Sequence, residues 1–352
     1  MFIVDAHEDI AYNALHHNRD VRSSVAETRT REATVPPPED GVLSGASELA
    51  MVGLPEHRQG GVGLIFATIF VPPGEPAAMT SDGFSQLQYY HNLAAENIGV
   101  RLVTSRDELA RLRHDWQAAS TPDARPVGMA LLMEGADPLP NPSALEHWYG
   151  QGLRMLGTSW RGTRYAGGTR EPGPLTDLGR ALLAEMTRLN MILDISHMAE
   201  ESFWEALAQF NGPVIASHSN CRIYVPTDRH LSDDMIRAIT ERDGVIGTVL
   251  ANQFLVGGWE HSQPLPRLDA VVQHIDHICQ LTGTSRHCAI GSDFDGGFGV
   301  ASTPEELDSV ADLSKIGDAL KHSGYTEADI QGVLGGNWLR LLQEALPDEQ
   351  TQ

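Results

Sequence analysis

The chain opens with Met1-Phe-Ile-Val-Asp-Ala-His-Glu-Asp9, and this stretch does most to decide the fold. The apolar run at residues 2–4 is typical of a strand buried in a parallel sheet, and the polarity changes abruptly after it. Alternate side chains of an extended chain share a face, so we expect His7 and Asp9 to point one way and Glu8 the other. An imidazole beside a carboxylate at a strand end makes half of a metal site.

Further apolar runs of strand length follow, and helical patterns separate most of them. The runs are 61–70, 127–133, 152–156, 191–195, 213–216, 245–250 and 288–291. Strands that alternate with helices in this way predict an α/β fold, a closed (β/α)8 or TIM barrel, which accommodates all 352 residues as a single domain. The alternative is an open doubly wound sheet, but no Gly-x-Gly-x-x-Gly follows the first strand to support it.

The segment after the first strand differs from the rest. Residues 10–60 are polar and contain three consecutive prolines at 36–38, which predicts a long loop-rich insertion with short helices at 9–17 and 44–51. Helical patterns later in the chain cover 82–119, 178–189, 200–210, 233–241 and 268–281.

Composition excludes several classes of function. A formal net charge of −22 argues against binding nucleic acid or an anionic membrane, because phosphate contacts need clustered Lys and Arg. Three scattered cysteines fit a reducing compartment. The chain starts directly on a strand and has no apolar run of membrane-spanning length, so we expect a cytoplasmic protein without a membrane anchor.

Metal-ligand residue types recur where the apolar runs end, which is the face on which barrel enzymes build their sites. They are His7, Asp9, Glu134, His197, His218 and Asp293. A lone buried histidine is usually a core residue, and a lone Asp at a strand end is usually a turn or cap residue. Six such residues on one face indicate a common site.

These nitrogen and oxygen ligands suit divalent ions, most of all Zn²⁺. Two ions about 3.5–4 Å apart need a bridging anion, for which Glu134 is the candidate. A carboxylated lysine cannot be the bridge, because Lys315 and Lys321, the only lysines, come after the last strand. The same absence disfavours Schiff-base chemistry.

Five motifs together resemble the successive signatures of the membrane (renal) dipeptidases, the M19 metallopeptidases of the amidohydrolase superfamily. They are His7-Glu-Asp9, Met133-Glu-Gly-Ala-Asp137, Asp194-Ile-Ser-His197, Ser217-His-Ser-Asn220 and Gly291-Ser-Asp-Phe-Asp-Gly-Gly297. The resemblance spans nearly the whole chain and reaches Gly335-Gly-Asn-Trp-Leu-Arg340 near its end.

The resemblance implies a role for each ligand residue. His7, Asp9 and Glu134 would hold one metal ion, and Glu134, His197 and His218 the other. The carboxylate of Asp293 would act as general base and carry the proton to the leaving amine. The family also suggests a homodimer.

The resemblance also implies how substrate is held. Arg229 matches the arginine that binds the terminal carboxylate, whereas Arg222, closer to His218 in sequence, is placed second as a structural residue. His230, beside Arg229, is a further candidate for the pocket.

One position departs from the family pattern. Where members commonly have a substrate-contacting His after the fourth strand, this chain has Trp160, a bulky aromatic with one indole N–H. Arg161, Arg164 and Tyr165 follow and are candidates to replace the lost donor. The departure puts the dipeptide substrate in question more than the hydrolytic chemistry.

Other acidic residues are expected to have supporting roles. Asp295 is predicted to orient its loop, and Asp5 and Asp194 to accept hydrogen bonds that support ligand histidines.

The sequence therefore predicts a two-zinc enzyme that hydrolyses small dipeptides, L-Xaa-L-Xaa or L-Xaa-D-Xaa, with a free C-terminal carboxylate. One alternative is an amidohydrolase acting on N-acyl amino acids, lactams or lactones. The other is a catalytically silent barrel that serves for binding or assembly.

Overall fold

The computed structural model describes residues 1–36 and 48–348. Its strands in chain order are β1 (Ile3–Glu8), β2 (Val62–Phe70), β3 (Val100–Leu102), β4 (Val127–Glu134), β5 (Leu153–Gly157), β6 (Ala166–Gly168), β7 (Glu171–Leu175), β8 (Ile192–Asp194), β9 (Val214–Ala216), β10 (Val245–Thr248) and β11 (Cys288–Ile290).

The α-helices follow the same order. They are α1 (Ile10–His16), α2 (Val25–Glu32), α3 (Leu54–Gly60), α4 (Pro76–Ala95), α5 (Arg106–Ala118), α6 (Leu145–Gly150), α7 (Asp177–Arg188), α8 (Glu200–Gln209), α9 (Asp233–Thr240), α10 (Asn252–Leu255), α11 (Leu268–Thr282), α12 (Ser314–His322), α13 (Glu327–Gln331) and α14 (Asn337–Ala345).

Eight parallel strands form the barrel in the order β1-β2-β4-β5-β8-β9-β10-β11. The first and last strands approach each other where Glu8 bridges in parallel to Phe294 and the Asp293 N–H donates to the His7 carbonyl at 3.1 Å. The predicted TIM barrel is confirmed, and the predicted strand runs all lie in it.

Two hydrophobic layers cover the two faces of the strands. The larger joins strand residues such as Ile65 and Met129 to helix residues such as Phe203 and Ile275, so it is the layer between barrel and helices. The smaller collects residues of the opposite strand face, among them Ala130. Glu134 follows the alternation of Ala130 and therefore extends this inner face.

The end of the chain closes the base of the barrel. The indole N–H of Trp338 donates to the Ile290 carbonyl at 2.9 Å, and the Asn337 side-chain amide donates to the carbonyls of Ser285 and Cys288. Both side chains come from α14 and tie it to β11 and to the residues just before that strand. The Gly-Gly-Asn-Trp motif is thus structural, remote from the ligand residues at the other ends of the strands.

Helix predictions are partly confirmed. The segment 82–119 is not one helix, because β3 interrupts it between α4 and α5 and pairs with β4 outside the barrel. The insertion after β1 holds α1 as predicted, and also α2 and α3, which the sequence did not indicate. Of the helix predicted at 44–51, residues 44–47 lie outside the described residues, and 48–51 are not helical. Among the described residues, no helix is long and apolar enough to cross a membrane.

Candidate metal centre

The six ligand-type side chains meet at the carboxyl end of the barrel. Three overlapping groups each keep their ligand atoms within 4.8 Å of one another. The groups are His7 with Asp9 and Glu134, Glu134 with His197 and His218, and His7 with His218 and Asp293. The structure thus brings together every residue that the sequence singled out as a ligand or as the base.

Glu134 lies between two sets of ligand atoms. Its Oε2 is 3.4 Å from the Nε2 atom of His7. Its Oε1 is 3.0 Å from the Nε2 atom of His197 and 3.4 Å from that of His218. Each carboxylate oxygen therefore faces a different set, which is the arrangement that a bridging ligand requires.

The imidazole of His7 is short of partners. Both of its ring nitrogens are buried without a hydrogen bond within the described part of the chain, and the 3.4 Å approach to Glu134 lacks hydrogen-bond geometry. Asp9 and Asp293 lie near the same Nε2 atom, at 3.9 and 3.8 Å. A buried nitrogen among three carboxylates fits a cation, so the residues present suit divalent metal ions.

Hydroxyl groups fix the orientation of two other ligands. The Asp194 carboxylate accepts from the Ser217 hydroxyl at 2.5 Å, so the Ser217 oxygen accepts from the His218 Nδ1–H at 2.8 Å. This order turns the Nε2 lone pair of His218 towards the cluster, where Nε2 lies 3.0 Å from that of His197, so that both could bind a metal ion. On β2, the Thr68 hydroxyl donates to Asp9 Oδ1.

His197 is oriented from the β6–β7 hairpin. Its Nδ1 lies 3.0 Å from the hydroxyl of Thr169, in the turn between these strands. No local sequence pattern indicates a role for Thr169, because the contact joins residues 28 positions apart. Ser217 could have been suspected from its place beside His218.

Burial and neighbouring charges have opposite effects on the pKa values of His7 and Glu134. Burial alone would lower the pKa of His7, but Glu134, Asp9 and Asp293 raise it to about 10. Burial would raise the pKa of Glu134, whereas the charge of His7 and the nearby Nε2 atoms of the other two histidines bring it well below its usual range. A cation at this position is therefore favoured, and a metal ion has to displace the proton on His7.

Burial favours the neutral forms of His197 and Asp293. Burial and the charge of Arg229 lower the pKa of His197 to about 4, which keeps its imidazole free of a proton at neutral pH. Burial raises the pKa of Asp293 well above its usual range. Asp293 can therefore hold a proton more readily than an exposed carboxylate.

A cavity of about 440 Å³ opens onto this cluster. Its size is within the range of small-molecule sites. Asp9, Glu134, His197 and Asp293 form its floor, and aromatic and basic side chains form much of the wall. The wall includes Phe70, Trp160, Arg161, Thr169, Arg170, Thr227, Asp228, Arg229, His230, Gln253, Phe254 and Phe298.

Arg229 lies in the wall next to the cluster. Its two terminal amino groups donate to the Ser219 hydroxyl at 3.0 Å and to the His218 carbonyl at 2.6 Å. Its Nε–H is buried and has no partner among the described residues. The guanidinium group thus keeps donors, the buried Nε–H among them, for an acceptor. Arg222, by contrast, pairs with Glu200 and is structural, as expected.

Trp160 stands in the wall against Phe70, with ring centroids 5.0 Å apart in an edge-to-face arrangement. Its side chain borders the cavity, at the position where the resemblance predicts a contact with substrate. Of the residues that follow it, Arg161 also lines the cavity. Arg164 instead pairs with Asp137 at 3.1 Å, and the Tyr165 hydroxyl donates to a backbone carbonyl.

His230 borders the cavity, but both of its ring nitrogens are engaged. Nδ1 lies 2.7 Å from the Thr227 hydroxyl, and Nε2 lies 3.0 Å from the Phe254 carbonyl. Burial lowers its pKa to about 3, so the ring is neutral at pH 7. The ring offers the cavity an aromatic surface rather than a free donor.

The supporting acidic residues mostly behave as expected. Asp295 accepts from the backbone of Met51 and Val52 and orients its loop. Glu8 turns away from the cluster and pairs with His57 at 2.8 Å. Asp5 accepts from the backbone of Ser292 at 2.7 Å and contacts no ligand ring, so the expected support for a histidine ring is found only at Asp194.

Comparisons with known proteins point to one family. The family model for membrane dipeptidase, peptidase family M19, matches residues 1–351. An uncharacterized protein in the pqqA 5′ region of Klebsiella pneumoniae is 32% identical over 281 residues, which cover 77% of this chain and 97% of that protein.

Solved structures agree with the family model. Dipeptidase AC, a family M19 metallopeptidase, is 26% identical with a TM-score of 0.78, and the match covers 98% of this chain and 99% of that one. A Rhodobacter sphaeroides metallopeptidase, solved with a phosphinate mimic of the dipeptide L-Ala-D-Ala, is 25% identical with a TM-score of 0.76 over the same shares.

Proposed function

Because the chain belongs to the membrane dipeptidase family, peptidase family M19, and is thus a metallodipeptidase, we propose that it uses two Zn²⁺ ions to hydrolyse dipeptides with a free C-terminal carboxylate. The observation that carries the proposal is the position of Glu134, whose two oxygens face separate sets of ligand atoms. His7, Asp9 and Glu134 would hold one ion, and Glu134, His197 and His218 the other. When bound, such ions polarise a carbonyl and lower the pKa of water.

Asp293 is the proposed general base. It is buried at the cavity floor, 3.8 Å from His7, and its raised pKa favours accepting a proton. It would take the proton from the attacking water and deliver it to the nitrogen of the leaving amine. A carboxylate can serve both steps because the bond that is broken leaves a basic amine.

Arg229 is the proposed anchor for the C-terminal carboxylate of the substrate. The unpartnered Nε–H supports this role, since a buried donor without an acceptor is costly and a carboxylate would satisfy it. Trp160 and His230 would shape the wall around the dipeptide. The L-Ala-D-Ala mimic in the Rhodobacter neighbour supports dipeptides with a D-configured C-terminal residue, and we include L-Xaa-L-Xaa dipeptides in the proposal beside them.

A substrate panel tests the proposal. Zinc-loaded protein is assayed with L-Xaa-L-Xaa and L-Xaa-D-Xaa dipeptides beside N-acyl amino acids, lactams and lactones, each with a chelator control. We expect dipeptides to have the highest kcat/KM, by about tenfold or more, because a dipeptide offers both a carboxylate for Arg229 and a free amine, and each of the other classes lacks at least one of these groups. Hydrolysis confined to the other classes would contradict the dipeptide proposal.

The second candidate function is hydrolysis of N-acyl amino acids, lactams or lactones. The observation that favours it is Trp160 in the cavity wall, where the family commonly has a hydrogen-bonding histidine. An indole packed on Phe70 offers apolar surface, which suits an acyl chain better than a charged amino group. The same panel separates the two functions.

A further inference from the structure

The wall of the cavity carries more positive charge than one carboxylate requires. Arg161, Arg170 and Arg229 all line it, although the chain has a net charge of −22 and only 25 basic residues in total. The proposed function accounts for Arg229 alone. Arg161 and Arg170 have no assigned role.

Neither of these two guanidinium groups is neutralised by the protein. Arg161 lies with its guanidinium carbon 5.1 Å from the centroid of the Trp160 ring, and Arg170 uses only its backbone N–H, which donates to Asp228 at 2.7 Å. Within residues 1–36 and 48–348, neither side chain makes a hydrogen bond or ion pair. Arg164, in the same segment, does have a carboxylate partner. Arg161 and Arg170 are therefore available to a ligand.

The backbone fixes both arginines with respect to the metal cluster. The Thr169 N–H donates to the Trp160 carbonyl at 3.0 Å. This hydrogen bond joins the residue that precedes Arg170 to the residue that precedes Arg161. The Thr169 hydroxyl contacts His197 at 3.0 Å. Arg161 and Arg170 thus follow two residues that are hydrogen-bonded to each other, and one of these, Thr169, also contacts the proposed metal ligand His197.

The backbone at Arg170 adds an independent observation. Its φ is +63°, in the left-handed region that glycine adopts readily and residues with a Cβ avoid. Glycine would form the hairpin turn with less strain. The chain thus carries a guanidinium group at a position where the backbone alone favours glycine.

The acidic residues of the cavity do not cancel these charges. Asp9, Glu134 and Asp293 belong to the metal cluster, where the bound ions would offset them. Asp228, whose Oδ2 accepts the backbone N–H of Arg170, offsets only one of the three arginine charges in the wall. The outer wall therefore keeps an excess of positive charge, which attracts and orients an anion in a cavity.

We propose that Arg161 and Arg170 bind a second carboxylate, so that the substrates of this enzyme are dipeptides with an acidic side chain, Asp or Glu. The inference rests on the proposed dipeptidase function and narrows it. Guanidinium groups pair with carboxylates through two parallel hydrogen bonds, and a neutral amide of the same shape cannot replace the charge. The enzyme should therefore discriminate Glu from Gln.

Matched substrates measure this discrimination. Zinc-loaded protein is assayed with Ala-Glu against Ala-Gln and with Glu-Ala against Gln-Ala, with both configurations of the C-terminal residue. We expect one acidic dipeptide to exceed its amide partner in kcat/KM by about tenfold or more, because charge-assisted hydrogen bonds are roughly twice as strong as neutral ones. The ratio should shrink when salt is added.

Two variants and a control locate the effect. Arg161→Gln should lower the Glu-to-Gln ratio by about tenfold, and Arg170→Gly should lower it while relieving the backbone at this position. Arg237→Gln removes an arginine on α9 that lies outside the cavity wall, and it should leave the ratio unchanged. A purely structural loss would slow both members of a pair equally and leave the ratio as it was.

The outcomes separate the inference from the function on which it rests. If the protein hydrolyses Ala-Ala but treats Glu and Gln alike, or if the ratio survives both arginine variants, the second-carboxylate site is wrong and the dipeptidase function stands. If the zinc-loaded protein hydrolyses none of these dipeptides, the proposed function fails, and the inference fails with it.

Discussion

His197 and Asp293 adopt positive φ angles of 65° and 62°, where residues with a side chain are uncommon. Each follows a barrel strand and turns the chain so that its side chain enters the cluster. Such a conformation costs of order 1 kcal/mol and persists only when surrounding structure enforces it. The strain at both positions is consistent with selection for the site rather than for stability.

Asp293→Asn is the first prediction at this scale. Asn tolerates positive φ, so the variant should fold and keep its metal content, while the loss of the base should lower kcat by about 100-fold or more. Steady-state kinetics and metal analysis of the same sample measure the two effects. Unchanged kcat would remove Asp293 from proton transfer.

Arg229→Gln is the second prediction. Wild-type enzyme should prefer Ala-Ala to Ala-Ala amide, and the variant should lose about tenfold or more of this preference, because the terminal carboxylate loses its cation. The ratio of kcat/KM values isolates the carboxylate contact from disturbance of His218, which Arg229 also contacts. A preference that survives the substitution would place the carboxylate elsewhere.

Among single residues, the ligand cluster could be predicted from the sequence, but the side chains that orient the ligands could not. His7, Asp9 and Glu134 could be predicted because strand ends of a parallel barrel meet on one face. Thr169 could not, since nothing local shows that a hairpin turn will reach His197. Substrate contacts such as that of Arg229 stay predictions.

At the scale of elements, long apolar runs were predictable and short or peripheral elements were not. β2 is nine residues of buried apolar chain, whereas β3 has three residues and is partly exposed. The β6–β7 hairpin contains three glycines and two prolines, a composition that reads as loop. The hairpin is therefore stabilised by tertiary contacts, here with α8 and His197, and not by the strand propensity of its residues.

His274 provides the third prediction. This fully buried residue of α11 accepts from the Cys221 N–H and donates to the Leu255 carbonyl, both at 3.0 Å, which requires a neutral ring. Burial lowers its pKa from 6.5 to about 4. Between these two pKa values the unfolded chain binds a proton at His274 that the folded chain excludes. The free energy of unfolding is therefore highest above the unfolded pKa and falls as the pH drops towards 4.

Chemical denaturation at pH 7 and pH 5 tests this. Wild-type protein should lose about 2 kcal/mol more stability between these pH values than His274→Gln, because only the wild type must exclude that proton. Other buried histidines titrate in both proteins and cancel in the difference. Equal losses would show that His274 does not carry this pH dependence.

In the molecule as a whole, the alternation of strands and helices predicted the barrel, and the metal-ligand residue types at the strand ends predicted where its chemistry lies. A chain with a net charge of −22 gathers carboxylates and histidines at one barrel end, where only cations relieve their repulsion. The homodimer that the family resemblance suggests remains a prediction, which light scattering of the purified protein tests.

The most direct test of the account is a metal titration with activity as the readout. Protein stripped by chelation is titrated with Zn²⁺, and bound zinc and hydrolysis of a dipeptide are measured together. We expect two zinc ions to bind per chain, with full activity only when both are present, because Glu134 faces two ligand sets. Full activity with one ion per chain, or activity that survives complete removal of metal, would contradict it.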